Sequence, residues 1–207
     1  MMLIKAILLT VFAYLVGSIS TGVVLSKVFG KGNLQKEGSK NIGATNVSRL
    51  MGLKWGILTL LGDTLKGMLV VWIGWLVFGG ENAPTFFLVC LMALAAFLGH
   101  LFPVFLHFKG GKGVATGLGI FILLGPQAIL VAILVFVLVV YLGKYVSLGS
   151  LVAAGLLPVL LIIFNYNLYA VCLSVIIFAA IIFNHKENIL RLIKGEEKTW
   201  RGKTSRK

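Results

Sequence analysis

The chain has 207 residues, of which 59% are hydrophobic and 12% charged, and its formal net charge is +13. This composition excludes a soluble globular protein, in which about a quarter of the residues are charged. A helix needs roughly 20 apolar residues to cross a bilayer core of about 30 Å, so the length allows some six or seven crossings. We therefore predict an all-α integral membrane protein that forms a single polytopic domain over residues 1–207.

Seven apolar segments are predicted to be transmembrane helices. In chain order they cover residues 3–28, 53–78, 85–106, 113–124, 127–143, 150–164 and 168–184. The first segment lacks a small-residue cleavage site, so we interpret it as a span rather than a signal peptide. The fourth segment is short and is followed by GPQ. Residues 113–143 therefore form either two helices or one bent or re-entrant element.

The linkers between these segments alternate in charge. Those over residues 29–52, 107–113 and 143–150 contain Lys or Arg, as does the tail over 185–207, whereas GGENAP, GPQ and NYN contain neither. Basic linkers collect on the cytoplasmic side, so we predict an amino terminus outside and a cytoplasmic carboxyl terminus. The membrane thus explains the positive charge, and no nucleic-acid partner is expected. The polar linkers then share one face, where a composite site can form.

The first basic linker contains EGSKNIGATNVSR, residues 37–49. It is too polar to span a membrane and too rich in Gly, Ser, Asn and Thr for a long helix. Backbone N–H groups of such a loop can wrap a phosphate, with hydroxyls of Ser39 and Thr45 donating and Arg49 binding as a fork. A flexible loop that contacts lipid headgroups is an equally open interpretation.

The second basic linker lies within HFKGGKGVATGLG, residues 107–119. Gly110, Gly111 and Gly113 allow positive φ and close backbone approach, and a helix beginning near Gly113 would direct its positive dipole end at an anion beside Lys112. It is not a Walker A loop, because glycine follows the lysine where that motif needs Ser or Thr. The alternative is a basic stop signal with a flexible turn.

Charged residues inside a span also need partners. Asp63 and Lys66 are three residues apart in the second span. An isolated charge at the bilayer centre costs about 2.5 to 3.5 kcal/mol, so we predict that the two side chains pair, and structural pairing is favoured over catalysis. In YVSLGS, Ser147 and Ser150 are predicted either to cap a helix or to touch a ligand.

Histidine and asparagine follow the last span at a helical spacing. His185 and Asn188 share one helix face, while Glu187 and Arg191 form a surface pair. A histidine at a membrane edge is usually an ordinary interfacial residue, but proximity to several anion loops favours a catalytic role. His100 and His107 are weaker candidates, since each can simply anchor a helix end.

The two cysteines, Cys90 and Cys172, lie in apolar runs without a second ligand at metal-binding spacing. We therefore predict neither a disulfide nor a metal site, and no cofactor is expected.

Taken together, GSKNIGATNVSR, GDTLKG, GHLFPVFLHFKGGKGVATGLG, YVSLGS and HKENILRLIKGEE resemble, in order and spacing, the bacterial acyl-phosphate:glycerol-3-phosphate acyltransferase family, PlsY. The resemblance runs from Gly17 to about Lys198. It implies transfer of a fatty acyl group from acyl phosphate to the 1-hydroxyl of glycerol 3-phosphate, which gives lysophosphatidic acid and phosphate. It also implies a multi-pass protein of the bacterial inner membrane, expected to be a monomer among membrane lipids, with its active site facing the cytoplasm.

The resemblance assigns roles to the motifs. Glycerol 3-phosphate is expected to bind to Ser39, Arg49, Lys112 and Ser150. Further substrate contacts, including those to acyl phosphate, are expected from Asn41, Gly43, Thr45, Asn46, Gly110, Gly111 and Gly113. His185 would assist deprotonation of the attacking hydroxyl, with Asn188 orienting it or the substrate, although a substrate phosphate can also be the base.

The main alternative from another class is a membrane transporter of a phosphorylated solute. Transporters usually contain internal repeats and polar residues near the bilayer midplane. No convincing repeat is evident here, and the polar residues cluster at one face, so the acyltransferase is favoured.

Overall fold

A computed structural model describes residues 2–30, 32–79 and 82–200, and all secondary-structure elements of those ranges are helices. Lys31 of the first basic linker, Gly80 and Glu81 of GGENAP, and residues 201–207 of the tail lie outside the described residues. Contacts divide the chain into two compact units, residues 1–124 and 125–207. The assignment of a single polytopic domain stays a prediction.

Six α-helices and one 3₁₀ turn make up the described part of the first unit. They are α1 (Met2–Ser18), α2 (Thr21–Val28), α3 (Ala44–Met51), α4 (Leu53–Phe78), α5 (Ala83–Leu101), the 3₁₀ turn (Val104–Leu106) and α6 (Val114–Leu124). The second unit contains α7 (Pro126–Gly143), α8 (Val146–Ile163), α9 (Leu168–Asn184) and α10 (Lys186–Ile193).

The predicted membrane segments are largely helical, but residues 3–28 are divided between α1 and α2, and residues 85–106 continue past the end of α5 into the 3₁₀ turn. Within the described residues, four helices are long and apolar enough to cross a membrane, or up to six if each bent pair is one span, and α6 is shorter. The bent pairs are α1 with α2, at 48°, and α9 with α10, at 62°. The count of seven spans and the orientation of the termini stay predictions.

Local sequence explains where these helices begin. Ser20 interrupts the first apolar segment because its hydroxyl caps α2, accepting a hydrogen bond from the backbone N–H of Val23. Asn82 caps α5 in the same way through Thr85. Residues 113–143 form two separate helices, since α6 ends before Gly125 and α7 begins with Pro126, which has no N–H that needs a helical partner.

Glycines allow the helices of the first unit to pack closely. A side chain at Gly17 or Gly99 would collide with the facing backbone where α1 packs against α5. Gly67 and Gly119 play the same part between α4 and α6, where Gly119 lies against the carbonyl of Thr64. Small residues at such crossings are typical of membrane helices, which associate through close van der Waals contact.

The second unit is built on α8, which packs against both α7 and α9. Leu157 and Leu161 are buried on α8. The outer face of α7 remains exposed and strongly apolar, as expected of a surface that meets lipid: Leu130, Leu134, Val137, Leu138 and Leu142.

Candidate functional site

The first polar loop is organised around the side chain of Asn46. This residue is 1% exposed. Its Nδ2 donates to the backbone carbonyls of Leu34 (3.3 Å), Glu37 (3.2 Å) and Asn41 (2.8 Å), and its Oδ1 accepts from the N–H of Ser39 (2.8 Å). Both ends of the amide are therefore engaged within the chain. The structure gives Asn46 an organising role, and its substrate contact stays a prediction.

A short helix that the sequence analysis did not identify lies within this loop. No long helix forms, but α3 carries Thr45, Asn46 and Arg49. Gly43 precedes α3, and its N–H donates to the side chain of Asn41 at 2.9 Å. The predicted residues Asn41, Thr45 and Arg49 are half-buried.

Exposure differs among the predicted phosphate ligands of this loop. Ser39 is exposed, while the Nε atom of Arg49 is buried. Gly38, which precedes Ser39, has a φ of +65°, and a side chain there would run into Oδ1 of Asn46. Glycine is therefore required at this position to let Ser39 reach the amide.

The glycine loop, residues 109–113, is seated on the carboxyl end of α5. The backbone N–H groups of Gly110 and Gly111 donate to the carbonyls of Leu101 and His100, both at 3.1 Å. A Cβ at Gly110 would meet those carbonyls, and a Cβ at Gly111 would meet the imidazole ring of His100. Close backbone approach is thus present, but the group approached is α5.

The predicted helix start beside the half-buried Lys112 is confirmed, because α6 begins at Val114. Of the three loop glycines, Gly113 alone has a positive φ, +81°. The N–H groups of Gly110 and Gly111 donate within the chain, so their contact with a substrate stays a prediction. Gln35 also joins the two polar loops, since its Nε2 donates to the carbonyl of Lys109 at 3.0 Å.

The predicted pairing of Asp63 and Lys66 is confirmed. Their side chains are 2% and 7% exposed, and Lys66 Nζ lies 3.0 Å from Asp63 Oδ1. Lys66 Nζ also donates to the carbonyl of Ile19 (2.7 Å) and lies 3.0 Å from Nδ1 of the buried His100. The cluster therefore joins α4 to α5 and to the break between α1 and α2.

His185 lies at the bend between α9 and α10 and is 3% exposed. Its Nδ1 is 2.8 Å from the carbonyl oxygen of Ile181. Because a carbonyl oxygen only accepts, Nδ1 must carry the ring proton, and Nε2 of the neutral imidazole then holds a lone pair. A histidine in this tautomer can accept a proton at Nε2.

Glu197 is a buried carboxylate whose importance the sequence analysis missed. It accepts hydrogen bonds from Ser147 Oγ (2.9 Å), Asn188 Nδ2 (2.6 Å) and Arg191 Nε (2.7 Å). Burial alone would raise the pKa of this carboxyl, but hydrogen bonds from Arg191, Asn188 and Ser147 outweigh burial and lower the pKa. One feature of the sequence could have indicated Glu197. Acidic residues are rare in this chain, which has only six of them.

Three expectations about neighbouring residues have different outcomes. Neither Ser147 nor Ser150 caps α8, because Tyr145 is the N-cap residue and Ser150 Oγ donates to the carbonyl of Val146 at 2.9 Å. The predicted surface pair of Glu187 and Arg191 is confirmed at 3.7 Å, and Arg191 also forms a shorter ion pair with Glu197, at 2.7 Å. The contact of the buried Ser150 with substrate stays a prediction.

A surface cavity of about 260 Å³ lies beside the first loop. Lys27, Gln35 and His107 line it together with Val23, Leu34, Phe105 and Leu106. Its lining includes His107, one of the weaker histidine candidates. Within the described ranges, no cluster of three or more His, Cys, Asp and Glu side chains is arranged to hold a metal ion.

Long apolar helices joined by cationic, amide-rich loops define a polytopic membrane protein suited to anionic ligands. The sequence profile described as Glycerol-3-phosphate acyltransferase matches residues 7–195. A glycerol-3-phosphate acyltransferase of Trichlorobacter lovleyi is 48% identical over 185 residues, which cover 89% of this chain and 92% of the relative. One from Desulfotalea psychrophila is 45% identical over 192 residues, covering 92% and 96%.

Solved structures agree with these sequence matches. The crystal structure of PlsY, an integral membrane glycerol 3-phosphate acyltransferase, in its glycerol 3-phosphate form has a TM-score of 0.88 and 39% identity, and the match covers 94% of this chain and 95% of that one. The lysophosphatidic acid form gives a TM-score of 0.86 at 38% identity, with the same coverage. The chain therefore belongs to the glycerol-3-phosphate acyltransferase family. The predicted family and the all-α integral membrane fold are confirmed.

Proposed function

We propose that the chain transfers a fatty acyl group from acyl phosphate to the 1-hydroxyl of glycerol 3-phosphate, forming lysophosphatidic acid and phosphate. Membership of the glycerol-3-phosphate acyltransferase family supports the acceptor and the reaction class. The observation that carries the chemistry is the Nδ1 contact of His185 with the Ile181 carbonyl, which presents Nε2 as a proton acceptor.

The choice of acyl phosphate as donor rests on the chemistry that these residues offer. An acyl phosphate is an activated anhydride, and its phosphate leaves without protonation by a strong acid. The hydroxyl oxygen of glycerol 3-phosphate forms a bond to the acyl carbon as the bond from that carbon to the phosphate oxygen breaks. The hydroxyl proton passes to His185 or to a substrate phosphate. Positioning and charge stabilisation can supply this catalysis without an enzyme nucleophile.

The motifs supply the proposed ligands of glycerol 3-phosphate. Ser39, Arg49 and Lys112 bind its phosphate, since charge-assisted hydrogen bonds to phosphate are the strongest available. Ser150 is proposed to bind the same substrate, while Asn188 orients His185 or the attacking hydroxyl.

Acyl phosphate is proposed to bind at the amino end of α3, near Asn41, Gly43 and Thr45, because the first N–H groups of a helix attract anions. Gly110, Gly111 and Gly113 keep Lys112 in place. Asn46 acts on this substrate through the shape of the loop.

We further propose that the protein resides in the bacterial inner membrane as a monomer, with these loops facing the cytoplasm. The clustering of Lys and Arg in the linkers over residues 29–52, 107–113 and 143–150 supports this orientation. Labelling of single cysteines placed beside Arg49 and Lys112 in sealed vesicles tests it. Both positions should react from the same side, and labelling from opposite sides would contradict the proposal.

The decisive experiment compares donors. Purified wild-type protein is supplied with glycerol 3-phosphate and either acyl phosphate or acyl-CoA, and lysophosphatidic acid is quantified. Lysophosphatidic acid should form when acyl phosphate is the donor and should not form when acyl-CoA is the donor. Equal use of acyl-CoA would overturn the donor assignment. Absence of product with both donors would overturn the proposed acyltransferase activity. Uptake of glycerol 3-phosphate into proteoliposomes without any donor would instead support a transporter.

A further inference from the structure

We propose that Asp63, Lys66 and His100 form a positioning network that fixes the glycine loop, residues 109–113, and thereby places Lys112 for binding of glycerol 3-phosphate. The inference rests on the proposed function. None of the three residues is proposed to contact substrate; they act through Gly111.

The ammonium group of Lys66 has three partners. A lysine ammonium has three N–H donors and no acceptor. Lys66 Nζ lies 3.0 Å from Asp63 Oδ1, 2.7 Å from the carbonyl of Ile19 and 3.0 Å from His100 Nδ1. These partners use all three donors, so His100 Nδ1 must be the acceptor. The ring proton of His100 therefore resides on Nε2.

The Nε2 edge of the His100 imidazole lies against Gly111. The atoms nearest to a Cβ built on Gly111 are Nε2, Cε1 and Cδ2 of His100, and Nε2 is so close that no side chain fits. The backbone N–H of Gly111 also donates to the carbonyl of His100 at 3.1 Å. His100 thus contacts the residue preceding Lys112 through both its ring and its backbone.

The carboxylate of Asp63 is held in place by a second helix. Asp63 Oδ1 accepts from the N–H (3.3 Å) and the hydroxyl (3.1 Å) of Thr21, at the start of α2. Its position is therefore set from a second helix, and Lys66 is held between that carboxylate and the ring. Burying ionic groups adds little net stability compared with an apolar core of equal volume. A gain in the position of the loop accounts for keeping three polar side chains inside these helices.

Two variants test whether the network positions Lys112 or only stabilises the folded protein. Lys66→Met keeps the length of the side chain but removes the donors, and His100→Asn keeps an acceptor near Nδ1 but removes the ring edge that faces Gly111. Both should raise the KM for glycerol 3-phosphate about tenfold, equivalent to about 1.4 kcal/mol, while kcat changes much less. Thr59→Val is the matched control, because Thr59 is buried on α4 and its hydroxyl donates within its own helix, to the Trp55 carbonyl.

An unchanged KM in folded Lys66→Met and His100→Asn proteins would overturn the inference, as would an equal rise in Thr59→Val. Absence of product from the wild-type protein would instead count against the proposed function. If either variant does not fold, a double-mutant cycle with Gly111→Ala and His100→Ala replaces it. The added methyl should raise the KM strongly beside the intact ring and much less beside alanine. Strictly additive effects would contradict the network.

Discussion

The side-chain Nδ2 of Asn188 donates a 2.6 Å hydrogen bond to Oε1 of Glu197. Because Nδ2 points at this carboxylate, the amide oxygen of Asn188 is turned away from it. The same Oε1 accepts from Ser147 on α8, so one buried carboxylate links α8 to α10. Glu197 thus determines which end of the Asn188 amide is presented near His185, one helical turn away.

Replacing Glu197 by Gln should both destabilise the protein and slow catalysis. The variant loses the ion pair with Arg191, and hydrogen bonds to charged groups contribute about 1.5–3 kcal/mol each. A lower kcat is expected because the hydrogen bond that orients the amide of Asn188 is weaker when its acceptor carries no charge. Thermal unfolding in detergent and initial rates measure the two effects. Glu196→Gln is the neighbouring control and should change both less; equal effects in the two variants would contradict the role of Glu197.

The lowered pKa of Glu197 predicts a loss of stability in acid. Glutamate in an unfolded chain has a pKa of about 4.3. Below that value the unfolded state binds the proton more readily than the folded state, so the free energy of unfolding decreases as pH falls toward the folded pKa. The contribution is fully present above about pH 5. The melting temperatures of the wild-type and Glu197→Gln proteins should therefore converge on acidification, and a gap that stays constant down to pH 3 would refute this linkage.

Much of the fold could be predicted because apolar runs and linker charge are local properties. Each predicted span is largely helical, although residues 3–28 form two helices, and even the break at GPQ is visible as Gly125 followed by Pro126. The helix α3 was missed because NIGATNVSR has weak helix propensity, and its stability comes from tertiary contacts such as Gly56 of α4 against Ser48.

The site was predicted less completely, because its construction depends on contacts between residues distant in sequence. The Ser147–Glu197 contact spans 50 positions, and the His100–Lys66 contact spans 34 positions. Spacing rules reach only the next helical turn, which is why Asp63 with Lys66 was predicted correctly but His100 was not joined to them. The contacts of the predicted ligand residues with substrate stay predictions.

Substitution of His185 by Ala should lower kcat by about 10²- to 10⁴-fold, the usual contribution of a general base. The Nδ1 contact with Ile181 predisposes Nε2 to accept the hydroxyl proton. His107→Ala is the control, since that residue is exposed. Initial rates with saturating acyl phosphate and glycerol 3-phosphate measure the effect. Full activity in His185→Ala would assign the base to a substrate phosphate.

Lys112→Ala should raise the KM for glycerol 3-phosphate by about tenfold or more, because a charge-assisted contact to phosphate is lost. Lys109→Ala removes a charge from the same loop at an exposed position and provides the control. Kinetics at several salt concentrations separate the local contact from general attraction, which salt screens. If both variants raise the KM equally, Lys112 has no specific role.

Gly119→Ala should destabilise the first unit strongly, because the added methyl would collide with the Thr64 carbonyl of α4. Gly143→Ala adds the same methyl near the end of α7, where only ordinary contacts of 3.7 Å and longer await it. That control should be neutral or stabilising by up to about 1 kcal/mol, the difference in helix propensity. Thermal unfolding compares them, and similar melting temperatures would show that α4 and α6 can move apart.

The anchoring of the first loop by Asn46 has a thermodynamic consequence for the substrate binding proposed for this loop. Its four contacts restrict the backbone from Leu34 to Asn41 during folding, so conformational entropy is lost before any anion arrives. A preorganised loop of this kind leaves more of the phosphate interaction enthalpy available as affinity. Selectivity for a small dianion over bulkier metabolites then depends on rigidity as well as on charge.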